Sequence, residues 1–132
     1  MRSVSESVGK VLTRARELGP LLVLTERRFV KRASREMLEL FWSERREHPE
    51  LTGPPLYEAV VARRLGPEST NARKIVQRAE ESFADWPVER SLTFRDVVHY
   101  VVFEEYLRTF SARDGARTRM GAMVARIIPK EI

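Results

Sequence analysis

Apolar side chains recur along this chain at helical spacing, and no stretch shows sustained strand-like alternation. Behind a Ser3-x-x-Glu6 capping box, Val4, Val8, Val11, Leu12, Ala15 and Leu18 fall on one side at ~100° per residue. Gly19-Pro20 reads as the stop of that helix, so helices are predicted over about 3–18 and 21–47. In the second, Leu22, Glu26, Val30, Ala33, Met37, Leu40 and Phe41 share a face. Arg28, Lys31, Arg32 and Arg35 line the opposite one, with Trp42 close by and Glu36 and Glu39 as partial neutralisation. His48-Pro49 through Pro54-Pro55 is a turn-rich link.

Two shorter helices follow, about 55–65 and 70–85, the second ended by Asp85-Trp86-Pro87. Thr93 and Asp96 form a second capping-box pattern at the head of a helix over 93–110. Val98, Val102, Tyr106 and Phe110 share one of its sides, widened by Tyr100, Phe103 and Leu107. Glu104, Glu105 and Arg108 mark a polar strip into which Val97 and Val101 intrude. Such an apolar helix is expected at the centre of the fold. A last helix over 116–128 groups Met120, Met123, Val124 and Ile127 and stops at Pro129. The expected architecture is all-α: residues 1–132 as a single-domain irregular bundle of about six helices.

Composition sets the class. With 42% hydrophobic and 33% charged residues, the chain has the make-up of a folded protein. It has no cysteine, which excludes disulfides, thiolate zinc sites and cysteine nucleophiles and fits a cytoplasmic setting. The longest apolar runs are far too short to span a bilayer, and the first residues lack the apolar run of a secretory signal. The formal charge of +5 is distributed as +4 over residues 1–48, −3 over 49–107 and +4 over 108–132. Arginine supplies most of the cations, and its planar fork suits phosphate or carboxylate. A genome rich in G and C would give the same bias.

Catalytic patterns are missing: there is no G-x-S-x-G, no G-x-G-x-x-G and no phosphate loop. Asp96-x-x-His99 has a spacing used by metal sites, yet two ligands do not make one, and Asp96 is already assigned to the Thr93 cap. The expectation is therefore a non-enzyme with no cofactor, no metal and no evident small-molecule substrate.

The stretch Tyr57 to Phe83 carries the most specific pattern. Val61-Ala62 precede Leu65-Gly66, and Ser69-Thr70 precede Arg73, Lys74 and Ile75. That order is similar to the helix-turn-helix of many bacterial regulators: a small residue in the first helix, glycine at the turn, a hydroxyl cap on the second. The resemblance implies that the second helix enters a groove of DNA. Thr70, Asn71, Arg73, Lys74, Gln77 and Arg78 would then contact nucleic acid. Ala72, Ile75, Val76, Ala79 and Phe83 would face inward. Arg28, Lys31, Arg32, Arg35, Arg117 and Arg119 would add contacts to phosphate or to an acidic partner. Departures from the pattern are Pro67 after the turn glycine, the small Ala72, and Glu80-Glu81 close behind. The ligand is thus expected to be DNA or RNA. The competing reading has the same two helices as ordinary packing in a protein-interaction module. Its surface would be Trp42, Trp86, Tyr57 and the basic stripe, or self-association through Met120 to Ile128.

Overall fold

The structure, a computed structural model, describes residues 4–66, 71–82 and 91–132, with side chains from Leu24 onward. Five helices lie among them: α1 (Val4–Glu47), α2 (Gly53–Leu65), α3 (Ala72–Ser82), α4 (Phe94–Thr109) and α5 (Ala116–Ile127). The expectation of an all-helical bundle holds, with five helices in place of about six.

The difference lies at Gly19-Pro20, where two helices were expected. The backbone runs through as one helix of 44 residues, about 66 Å at ~1.5 Å per residue. Proline removes a single amide hydrogen bond and crowds one carbonyl, but its fixed φ belongs to the helical range. It therefore weakens a helix without compelling it to stop. Ser3, the expected cap, lies outside the described residues.

The other helix ends follow from local chemistry. α1 stops ahead of Pro49, with Arg45 and Arg46 in its last turn, where the helix dipole favours cations. α2 opens with Pro54 and Pro55 in the first turn, where no amide partner is lost. It closes on Gly66 at φ 98°, a conformation that side chains other than glycine rarely adopt; the Gly66 amide donates to the Ala62 carbonyl. The Thr93 capping box forms as expected. The Asp96 amide donates to Thr93 Oγ1 (3.2 Å), and the Thr93 amide donates to Asp96 Oδ2 (3.0 Å).

α4 is the hub, packed against each of the other four helices, which is the central position its apolar sequence implied. Its buried residues are Phe94, Val97, Val98, Val101, Val102 and Tyr106 together with the cap residue Asp96. Val97 and Val101, read from the sequence as intruders on a polar strip, are therefore core. Leu107, read as part of the apolar side, is 41% exposed. Glu105 explains the error, because it continues the Val97–Val101 side one turn further. It is accommodated there by Arg64 of α2, whose Nε and Nη2 donate to its two oxygens at 2.9 and 2.8 Å. That bidentate pairing, with Glu36 of α1 also accepting from Arg64, holds the guanidinium protonated and pushes its pKa up.

Val30, Ala33, Met37 and Phe41 of α1, Leu56, Val60 and Val61 of α2, and Met120, Val124 and Ile128 at α5 complete the core. Phe94 lies between Phe41 and Tyr57, with ring centroids 4.4 and 5.9 Å away. Glu26, placed by its spacing on the apolar side of α1, is fully buried. Arg119 Nε donates to it at 2.8 Å and Nη2 at 3.2 Å, while the Tyr106 hydroxyl donates at 3.5 Å. A buried carboxylate needs such donors, since leaving it unpaired costs several kcal/mol. On the apolar side of α5, Met120, Val124 and Ile128 are buried in the core and Met123 and Ile127 are half-buried. Tyr57, expected on an interaction surface, is likewise buried.

Candidate nucleic-acid interface

α3 divides cleanly between two environments. Ala72, Val76 and Ala79 are buried and Ile75 half-buried, at the spacing that puts them on one side against α2 and α4. Asn71, Arg73, Lys74, Gln77, Arg78, Glu80 and Glu81 are exposed. The expected start at residue 70 moves to Ala72, with the Asn71 carbonyl accepting from the Ile75 amide at 3.0 Å. Thr70, Ser69, Pro67 and Phe83 lie outside the described residues.

The exposed side presents a row of donors. Lys74 and Gln77 stand one turn apart with Arg73 and Arg78 flanking, and neither Arg73 nor Lys74 has an ion-pair partner among the described residues. Arg78 is partly engaged, because it faces the Tyr100 hydroxyl of α4. Burial pushes that hydroxyl's pKa up, Glu104 adds to the shift and Arg78 opposes it. An amide and two or three cations on one helix face are groups that can read base edges and contact phosphates.

Positive charge around this face is smaller than the sequence implies. Arg63 is paired with Glu44 (3.2 Å) and Glu47 (3.3 Å), and Arg64 with Glu105 and Glu36. Both cations of α2 are thereby neutralised by α1 and α4, and the field near α3 comes from Arg73, Lys74 and Arg78, opposed by Glu80 and Glu81 of the same helix.

The six more distant cations separate into three groups. Arg28, Lys31, Arg32 and Arg35 are exposed together on α1, which does not touch α3. Arg117 is exposed on α5 and borders a cavity of about 110 Å³ shared with Ser82, His99, Tyr100, Phe103 and Glu104. Arg119 is tied to Glu26 and to the Asp114 carbonyl, and its charge is spent inside the fold. His99, whose spacing from Asp96 resembles a metal pair, has its ring donating from Nε2 to the Arg117 carbonyl at 2.8 Å. Trp42 is exposed, while Trp86 lies outside the described residues.

Sequence reasoning missed the capture of Glu36 by Arg64. A signal for it existed: at ~100° per residue Glu36, Glu44 and Glu47 fall toward Leu40 and Met37, not toward Arg35. No helix among the described residues is long and apolar enough to cross a membrane. Comparison with protein-family models, curated proteins and solved structures finds no match for the chain.

Proposed function

We propose that this helical bundle is a non-catalytic, cytoplasmic nucleic-acid-binding module that meets its ligand with the polar side of α3. One observation carries the reading: Lys74 and Gln77 are open to water while Ala72, Val76 and Ala79 of the same helix anchor it to the bundle. A helix buried on its polar side would have no means of entering a groove. Gln77 supplies the amide that pairs with a base edge, and Arg73 and Lys74 supply phosphate contacts.

The test is a gel shift of the full chain with labelled random duplex DNA across a salt series. Three contacts, from Arg73, Lys74 and Arg78, correspond to a slope of about −2.7 in log affinity against log salt, at roughly −0.9 each. Lys74→Ala reduces that slope by about one, and Gln77→Ala leaves the slope unchanged while weakening binding about tenfold on the preferred duplexes selected from the random pool. No shift at low salt, or a shift indifferent to salt and to both substitutions, overturns the reading.

A further inference from the structure

The charges of α1 are sorted by side to a degree that composition conceals. Of its acids with described side chains, Glu26 is held by Arg119, Glu36 by Arg64, and Glu44 and Glu47 by Arg63. All four turn toward the neighbouring helices. The cations do the reverse: Arg28, Lys31, Arg32 and Arg35 are exposed, with no ion pair among the described residues. Glu39 is the acid left on their side. Glu36 does not offset the stripe, because Arg64 has already taken it.

An aromatic ring stands in the same line. Arg28, Arg35 and Trp42 recur every seven residues, close to two full turns, and so run along one edge for about 21 Å at ~1.5 Å per residue. Trp42 is 46% exposed, and its orientation is set from within the fold. Phe41 meets it in a T-shaped contact at 5.4 Å, and the Arg45 guanidinium lies 5.9 Å from the ring centroid.

From this arrangement we infer that the outer side of α1 is a track for single-stranded nucleic acid. Arg28, Lys31, Arg32 and Arg35 contact successive phosphates, and Trp42 stacks on an unpaired base. Cations alone would accept any polyanion. A pre-oriented, half-exposed indole beside them selects a ligand with free π-faces, which a single strand offers and a duplex keeps stacked away. An acidic protein segment or an anionic lipid surface would also take the charges, and preference for oligothymidylate over both is what separates them in the test below. The inference rests on the nucleic-acid reading for its ligand class and not on α3 as the contact.

Fluorescence anisotropy with a labelled oligothymidylate, which forms no duplex, tests it in the full chain. For a single strand each lost phosphate contact lowers the salt slope by about 0.7, so R28Q/K31Q/R32Q/R35Q lowers it by up to about 2.8. The charge-preserving R28K/R32K/R35K keeps the wild-type slope. Trp42→Ala weakens binding about tenfold at unchanged slope. A wild-type slope in the glutamine variant overturns the inference, as does an unaffected Trp42→Ala. Binding of poly-glutamate or anionic vesicles in preference to oligothymidylate also overturns it. The two surfaces are told apart by K74A/Q77A. If that variant alone loses duplex binding while the α1 variants bind normally, the α3 reading stands and the track falls. The opposite pattern keeps the track and removes the α3 reading.

Discussion

Gly121 of α5 packs directly against the His99 ring of α4. A Cβ at this position would lie 2.8 Å from Cε1 of His99 and 3.2 Å from Nε2, inside the distance that non-bonded atoms tolerate. The ring is not free to retreat, because its Nε2–H donates to the Arg117 carbonyl. Two effects oppose each other in Gly121→Ala. Alanine gains up to about 1 kcal/mol of helix propensity, and overpacking a fixed seam costs about 1–3 kcal/mol. The second wins here because both atoms in collision belong to packed elements. Gly121→Ala is expected to lower stability by about 1–2 kcal/mol in urea unfolding. Adding His99→Ala to that background is expected to return part of the loss. A neutral or stabilising Gly121→Ala would show that the seam has slack. In the sequence the residue reads only as a weak helix former, because its reason is on another helix.

At the scale of elements, that seam also carries a pH dependence. Burial lowers the pKa of His99 from the usual 6.5, with Arg117 charge adding to the shift and the Arg117 carbonyl and Asp96 opposing it. The folded state therefore binds this proton less readily than the unfolded chain. The contribution is fully present above the unfolded pKa and is lost as pH falls through the lowered folded value. Denaturant midpoints are expected to drop on acidification below about pH 6.5, and His99→Asn is expected to flatten that part of the profile. An identical profile in the variant would place the acid sensitivity elsewhere. Local signals were sufficient for the body of α2, for α5 and for the Thr93-capped start of α4, since hydroxyl caps and 3.6-residue spacing are properties of a few adjacent residues, whereas Pro54-Pro55, expected in the link, form the first turn of α2. Such signals failed where a neighbour decides. Gly19-Pro20 reads as punctuation although a proline only weakens a continuing helix, and the buried arc of α4, expected on Val98, Val102 and Tyr106, extends onto Val97 and Val101 because Arg64, from another helix, accommodates Glu105 beside them.

Across the whole molecule, the candidate site was legible only as far as amphipathicity reached. The outward position of Lys74 and Gln77 follows from the spacing of Ala72, Val76 and Ala79, and the stripe from Arg28 to Arg35 follows from the spacing around Val30 and Met37. The neutralisation of Arg63, Arg64 and Arg119 did not follow, since their partners lie 16 to 93 residues away in the chain. The resulting distribution on α1, with Glu26, Glu36, Glu44 and Glu47 paired to other helices and Arg28, Lys31, Arg32 and Arg35 exposed beside Glu39, sets stability against function. Four like charges along one helix repel each other, and Glu39 is the one described acid of α1 on their side to offset it. R28Q/K31Q/R32Q/R35Q is therefore expected to match or exceed the wild-type melting temperature at low ionic strength. The gain should fade near 1 M salt, where the screening length shrinks to about 3 Å. E36Q/E44Q is expected to do the opposite, lowering the melting temperature by removing one of the two partners of Arg64 and of Arg63 while Glu105 and Glu47 remain, each lost pair contributing up to about 1 kcal/mol. Thermal melts of the three proteins at low and high salt decide the matter. Should both variants lose stability together, the outward cations would be structural after all, and the polyanion track on α1 would lose the feature that defines it.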